Sequence, residues 1–108
     1  MSEAGAEFLV RLEVGWPAEG DDEQRRRLMT AEAERRAELI AAGALRRLWR
    51  DPGHWANWTL WCVDDADQLH ALLTSLPFHP WMEVVVHPLA RHEADPGWSA
   101  TTTDSGGS

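Results

Sequence analysis

Near the start of the chain, Phe8, Val10, Leu12 and Val14 alternate with Leu9, Arg11 and Glu13. A period of two predicts a strand. Gly15-Trp16-Pro17 interrupts the alternation. Asp21, Asp22 and Glu23 then open a helix, their charge answering the positive end of its dipole. The helix pattern runs to about Ala42, and Gly43 suits the left-handed position past a helix end. Residues 44–50 predict a second strand and Asp51-Pro52-Gly53 a turn. Residues 54–63, rich in Trp and with Thr59 and Val63, predict a third strand. Asp64 or Asp65 caps a second helix that reaches about Ser75. Pro77 and Pro80 punctuate the chain before a β-branched fourth strand, Trp81 to Val86.

The order is β-α-β-β-α-β, the split pattern of ferredoxin-like α+β folds. Four strands in one antiparallel sheet would carry both helices on one face. The other face then needs a cover that so short a chain does not supply, so a homo-oligomer built on a sheet-to-sheet dimer is expected. Residues 1–6 read as a flexible N-terminus, 7–92 as the domain, and 93–108 as a polar tail, disordered or ordered by a neighbouring subunit.

Composition narrows the chemistry. The chain has 108 residues and a net charge of −8, which argues against nucleic acid and anionic membranes as partners. No apolar run approaches a membrane span and the N-terminus lacks a secretory pattern, so a cytoplasmic location is expected. One cysteine, Cys62, excludes an internal disulfide and a Cys-rich zinc site. Mid-strand among apolar neighbours, it reads as a small buried hydrophobe. The five histidines show no metal-ligand spacing, so no metal is expected. Lys and Tyr are absent, which removes Schiff-base and phenolic chemistry. A Trp of so short a chain belongs to a core, an interface or an aromatic pocket, and with seven of them at least one is expected to line a pocket.

At about 100° per residue, Glu32 falls inside the apolar stripe of Leu28, Leu39 and Ile40, while Glu34 and Glu38 fall on the far side. A carboxylate facing the sheet would be desolvated, and its pKa would rise toward the range of a general base. The competing reading is an ion pair with Arg36, one turn later; the two are compatible. Arg46, Leu48 and Arg50 share one face of the second strand, where the guanidinium groups could grip a substrate carboxylate or simply meet solvent. His54 is a candidate second proton carrier or donor to an oxyanion, against a plain structural role. His54 and Asn57 have odd spacing, so they share a face only if a turn or bulge intervenes at His54.

Several segments together resemble the muconolactone Δ-isomerase family: Phe8-Leu9-Val10-Arg11-Leu12, Glu32, Gly43, Arg46-Arg47-Leu48-Trp49-Arg50 and Gly53-His54-Trp55-Ala56-Asn57-Trp58. Leu76-Pro77-Phe78-His79-Pro80-Trp81-Met82 and Leu89-Ala90-Arg91-His92 continue the series. The resemblance implies a subunit of the dimeric α+β barrel type, assembling into a larger ring, a decamer in this family. It implies a pocket between the first helix and the sheet, and a cofactor-free 1,3-proton shift on an unsaturated lactone acid. Glu32 matches the family's proton-moving glutamate, and His54 and Asn57 match its motif after the turn. Met29 stands where the family usually has Lys, and Trp55, Trp58 and Trp81 stand where it usually has Tyr. Losing a cation and gaining indoles points to a larger, flatter, less acidic substrate, as in a tailoring variant of aromatic or polyketide metabolism. The alternatives are a cofactor-independent monooxygenase using the Trp set and Asn57, and a non-catalytic module that binds an aromatic ligand.

Overall fold

The computed structural model describes residues 5–97. The remaining N-terminal residues and the end of the expected tail lie outside the described residues. Its elements are β1 (Ala6–Val14), α1 (Asp22–Ala41), β2 (Leu45–Arg50), β3 (Ala56–Val63), α2 (Ala66–Thr74) and β4 (Met82–Leu89). A single 3-10 turn, His79–Trp81, leads into β4. The sheet is antiparallel throughout, in the order β2-β3-β1-β4. This is the ferredoxin-like arrangement: β1 and β3 pair at the centre and α1 crosses over to the edge strand β2.

The barrel expectation is corrected. The four strands form an open sheet with β2 and β4 as its two edges, not one closed into a barrel. Closure needs about eight strands tilted and staggered together, and four do not reach round. Other boundaries move by small amounts. Ala6, expected to be flexible, pairs with Val63. The fourth strand begins one residue late and runs on through Pro88, which an edge strand tolerates because one side needs no ladder donor. Residues 54 and 55 belong to the turn and not to β3.

Local chemistry explains the helix ends. The carboxylate of Asp21 accepts from the Glu23 N–H at 3.2 Å, opening α1. At the other end the Gly43 N–H donates to the Ile40 carbonyl and the Ala44 N–H to the Leu39 carbonyl. These two bonds need a left-handed residue, and Gly43 has φ +83°. Asp65 caps α2 by accepting from the Gln68 N–H at 2.8 Å. Both helices cover one side of the sheet. The core lies there, between Phe8, Val10 and Leu12 of β1, Trp61 and Val63 of β3, Leu45 of β2, Leu39 of α1, and Leu69 and Leu73 of α2.

The opposite face carries Leu9, Arg11, Trp49, Trp58, Leu60 and Val85, none of them fully buried. Cys62 is also on this face and half-buried, which corrects its expected burial. No helix among the described residues is long and apolar enough to cross a membrane.

Candidate active site

Between α1 and the helix-facing side of the sheet, by the β2–β3 turn, lies a cavity of about 950 Å³. Its apolar wall includes Leu12, Val14, Leu48, Trp55, Trp61, Phe78 and Met82. The polar groups reaching it are Glu32 and Arg36 from α1, Arg50 at the end of β2, His54 from the turn, and Asn57 and Thr59 from β3. No group of three or more His, Cys, Asp or Glu among the described residues is arranged to hold a metal ion.

Glu32 is one of two buried residues of α1, the other being Leu39. The stripe is narrower than the periodicity suggested, since Ile40 is 49% exposed. Glu32 Oε1 accepts from the Phe78 N–H at 3.1 Å. Burial pushes the carboxyl above the ordinary glutamate range; the Phe78 N–H and the nearby Arg36 charge pull it down but do not cancel that effect. A carboxylate so placed is poised to accept a proton from carbon and return it. Thr59 serves the wall differently. Its hydroxyl donates to the Val10 carbonyl at 2.8 Å and accepts from Trp61 Nε1 at 2.7 Å, so the buried indole is satisfied.

The turn brings His54 and Asn57 to the same cavity, because His54 precedes β3 and is free of its alternation. Met29, Arg50 and Trp55 also line it. Arg46, Trp58 and Trp81 do not line it. The β2–β3 register shifts between Leu45 and Arg47, so Arg46 is the extra residue of a bulge. Its Nε donates to the Gly43 carbonyl at 2.8 Å instead. Trp58 lies between Asn57 and Thr59 and so points to the other face. There it stacks near His87, centroids 6.3 Å apart, with Arg11 above it at 6.0 Å. Trp81 sits in the 3-10 turn and packs on Trp16 at 4.9 Å, away from the cavity.

Sequence reasoning missed the Phe78 N–H, a backbone group with no signature beyond the Pro77 turn before it. Trp61 was legible only as an unassigned aromatic.

A buried, proton-avid carboxylate on a helix, facing an aromatic cavity over a ferredoxin-like sheet, defines a small α+β enzyme of the isomerase type. The muconolactone delta-isomerase family model matches residues 6–95. The chain is 38% identical to the muconolactone Δ-isomerase of Pseudomonas aeruginosa over 85 residues, 79% of this chain and 88% of that protein. With the enzyme of Rhodococcus opacus the identity is 33% over 88 residues, covering 82% and 95% respectively. A crystal structure of muconolactone isomerase superposes with a TM-score of 0.79 at 33% identity, over 83% of this chain and 94% of that one. The chain belongs to the muconolactone Δ-isomerase family.

Proposed function

We propose that the protein shifts a proton between two carbons of an unsaturated lactone or enone, with Glu32 as the shuttle. The burial of Glu32 against the Phe78 N–H, with its raised proton affinity, carries this reading. One carboxylate can lift a proton from the carbon beside a carbonyl and return it to another carbon on the same face of the planar dienolate. Such a step needs no cofactor. The developing oxyanion needs donors, and Asn57, Arg36, Arg50 and His54 are the groups within the cavity able to supply them.

The substrate is larger and flatter than a simple lactone acid, as in a tailoring step on an aromatic or polyketide skeleton. A cavity of about 950 Å³ with Trp55, Trp61 and Phe78 on its wall supports this, as does the thioether of Met29. A second copy of this chain covers the open sheet face. That face carries Arg11 and Arg47 with Glu13 and Glu83 around Trp49, Trp58 and Val85, so two copies in opposite orientation can match unlike charges around an apolar centre.

The test is proton exchange on muconolactone in deuterated buffer, followed by proton NMR with dissolved oxygen monitored. Deuterium entering only at the isomerised positions, at constant oxygen, supports the reading. Oxygen consumed in proportion to turnover makes the protein a monooxygenase. Aromatic ligands that bind, with no exchange on any enone, make it a binding module.

A further inference from the structure

Asp51 opens the β2–β3 turn, and its backbone groups and one carboxylate oxygen are hydrogen-bonded. Its N–H donates to the Ala56 carbonyl at 3.0 Å, and its carbonyl accepts from the His54 N–H at 3.2 Å. Its carboxylate divides between two partners. Oδ2 takes both Arg11 Nε and Arg11 Nη2 at 2.8 Å. Oδ1 lies 3.7 Å from His54 Nδ1. Arg11 is held in turn by Glu13, whose Oε1 accepts from Arg11 Nη1 at 2.8 Å. The side chains of Arg11 and Asp51 are only 21% and 22% exposed, whereas that of His54 is 55% exposed. Arg11 belongs to the open face of the sheet, and His54 reaches the cavity on the other. Asp51 joins the two around the sheet's end and itself lines no part of the cavity.

A guanidinium gripping one carboxylate oxygen fixes the carboxyl plane and leaves the other oxygen aimed at a single partner. That partner is His54 Nδ1. An acceptor there selects the Nδ1–H tautomer of the neutral ring, and Nε2 then presents a lone pair. The separation of 3.7 Å is longer than a hydrogen bond. Such contacts in unliganded sites tighten when substrate is bound. The other charged groups around the cavity are Glu32 and Arg36 on α1 and Arg50 on β2.

We propose that Asp51, clamped by Arg11, is a positioning residue that sets the tautomer of His54, so that His54 meets the substrate through Nε2 as a hydrogen-bond acceptor and not as a neutral N–H donor. Nε2 then holds the substrate while Glu32 moves the proton between carbons, and the Asp51 carboxylate faces Nδ1–H on the far side of the ring. The inference rests on the reading of this cavity as the reaction site. The oxyanion donors are then Asn57, Arg36 and Arg50.

The test has one arm independent of turnover. Nitrogen-15 NMR of the imidazoles, with His54 assigned from His54→Ala, reads the tautomer at a pH where the ring is neutral. The wild-type protein should carry the proton on Nδ1, and Asp51→Asn should move it toward Nε2. The same tautomer in both proteins overturns the proposal. The second arm is a double-mutant cycle on muconolactone exchange. Asp51→Asn should lower kcat by about tenfold or more with little change in KM, and cost less than about twofold when His54 is already Ala. An equal loss in both backgrounds means Asp51 only holds the turn, and overturns the proposal. If the tautomer shifts as expected but no protein exchanges protons on muconolactone, the functional reading fails while the Asp51–His54 pairing stands.

Discussion

Replacing Glu32 by Gln removes a base while keeping the side chain's shape, and activity and stability should move in opposite directions. The Phe78 N–H, 3.1 Å from Oε1, keeps an acceptor in the amide. That bond falls from a charge-assisted one worth about 1.5–3 kcal/mol to a neutral one worth about 0.5–1.5 kcal/mol. Against this, the amide never bears the charge that burial penalises. Burial outweighs the Phe78 N–H and Arg36 in setting the carboxyl's proton affinity, so the ionised form costs the folded state free energy overall. Glu32→Gln should therefore be at least as stable as wild type at pH 7. The pH dependence has a definite sign. A folded-state pKa raised above its unfolded value gives stability that is complete below the unfolded pKa and lost as pH rises through the folded one. The advantage of Gln should thus be absent near pH 4 and grow as pH rises. Glu32→Ala leaves the Phe78 N–H buried without a partner and should fall below Gln by about 1–3 kcal/mol. Urea unfolding of the three proteins at both pH values measures this. Proton exchange on muconolactone should fall by about a hundredfold or more in Glu32→Gln, equivalent to about 2.7 kcal/mol of barrier. A Gln variant clearly less stable than wild type at pH 7 would refute the desolvation argument. Near-wild-type exchange would refute the shuttle and leave Glu32 as a structural partner of Phe78 and Arg36.

Thr59→Val should lose about 1–3 kcal/mol in urea unfolding, because Trp61 Nε1 loses its acceptor in the core, where Thr59 is 1% exposed. Light scattering at micromolar concentration should give a mass above that of one chain. Trp58→Glu should lower it, since a carboxylate in the centre of the open face would be buried by the second copy. Polycyclic aromatic ligands should quench tryptophan fluorescence more than muconolactone does. Trp55→Phe should remove much of that quench and Trp81→Phe little, because Trp55 lines the cavity and Trp81 does not.

Chain order and helix ends were legible from local physics. Asp21, Asp65 and Gly43 are each chosen by the geometry of the helix end they occupy, which depends on a few neighbouring residues. Glu32's place on the sheet-facing side followed from the helical period alone. What depended on partners distant in sequence was not legible. A bulge is a mismatch between two strands, so the displacement of Arg46 could not be read from β2 by itself. Trp58 and Trp55 look alike in the sequence, yet the start of β3 between them sends one to the open face and leaves the other at the cavity. The Phe78 N–H meets Glu32 across 46 positions, and Asp51 meets Arg11 across 40. The elements, their order and the sheet-facing side of α1 follow from periodicity and end chemistry within a few residues, so they could be read locally. That the sheet stays open, which tryptophans wall the cavity, and which groups tune Glu32 and hold His54 depend on long-range packing. Those contacts arise when strand register brings remote residues to one point.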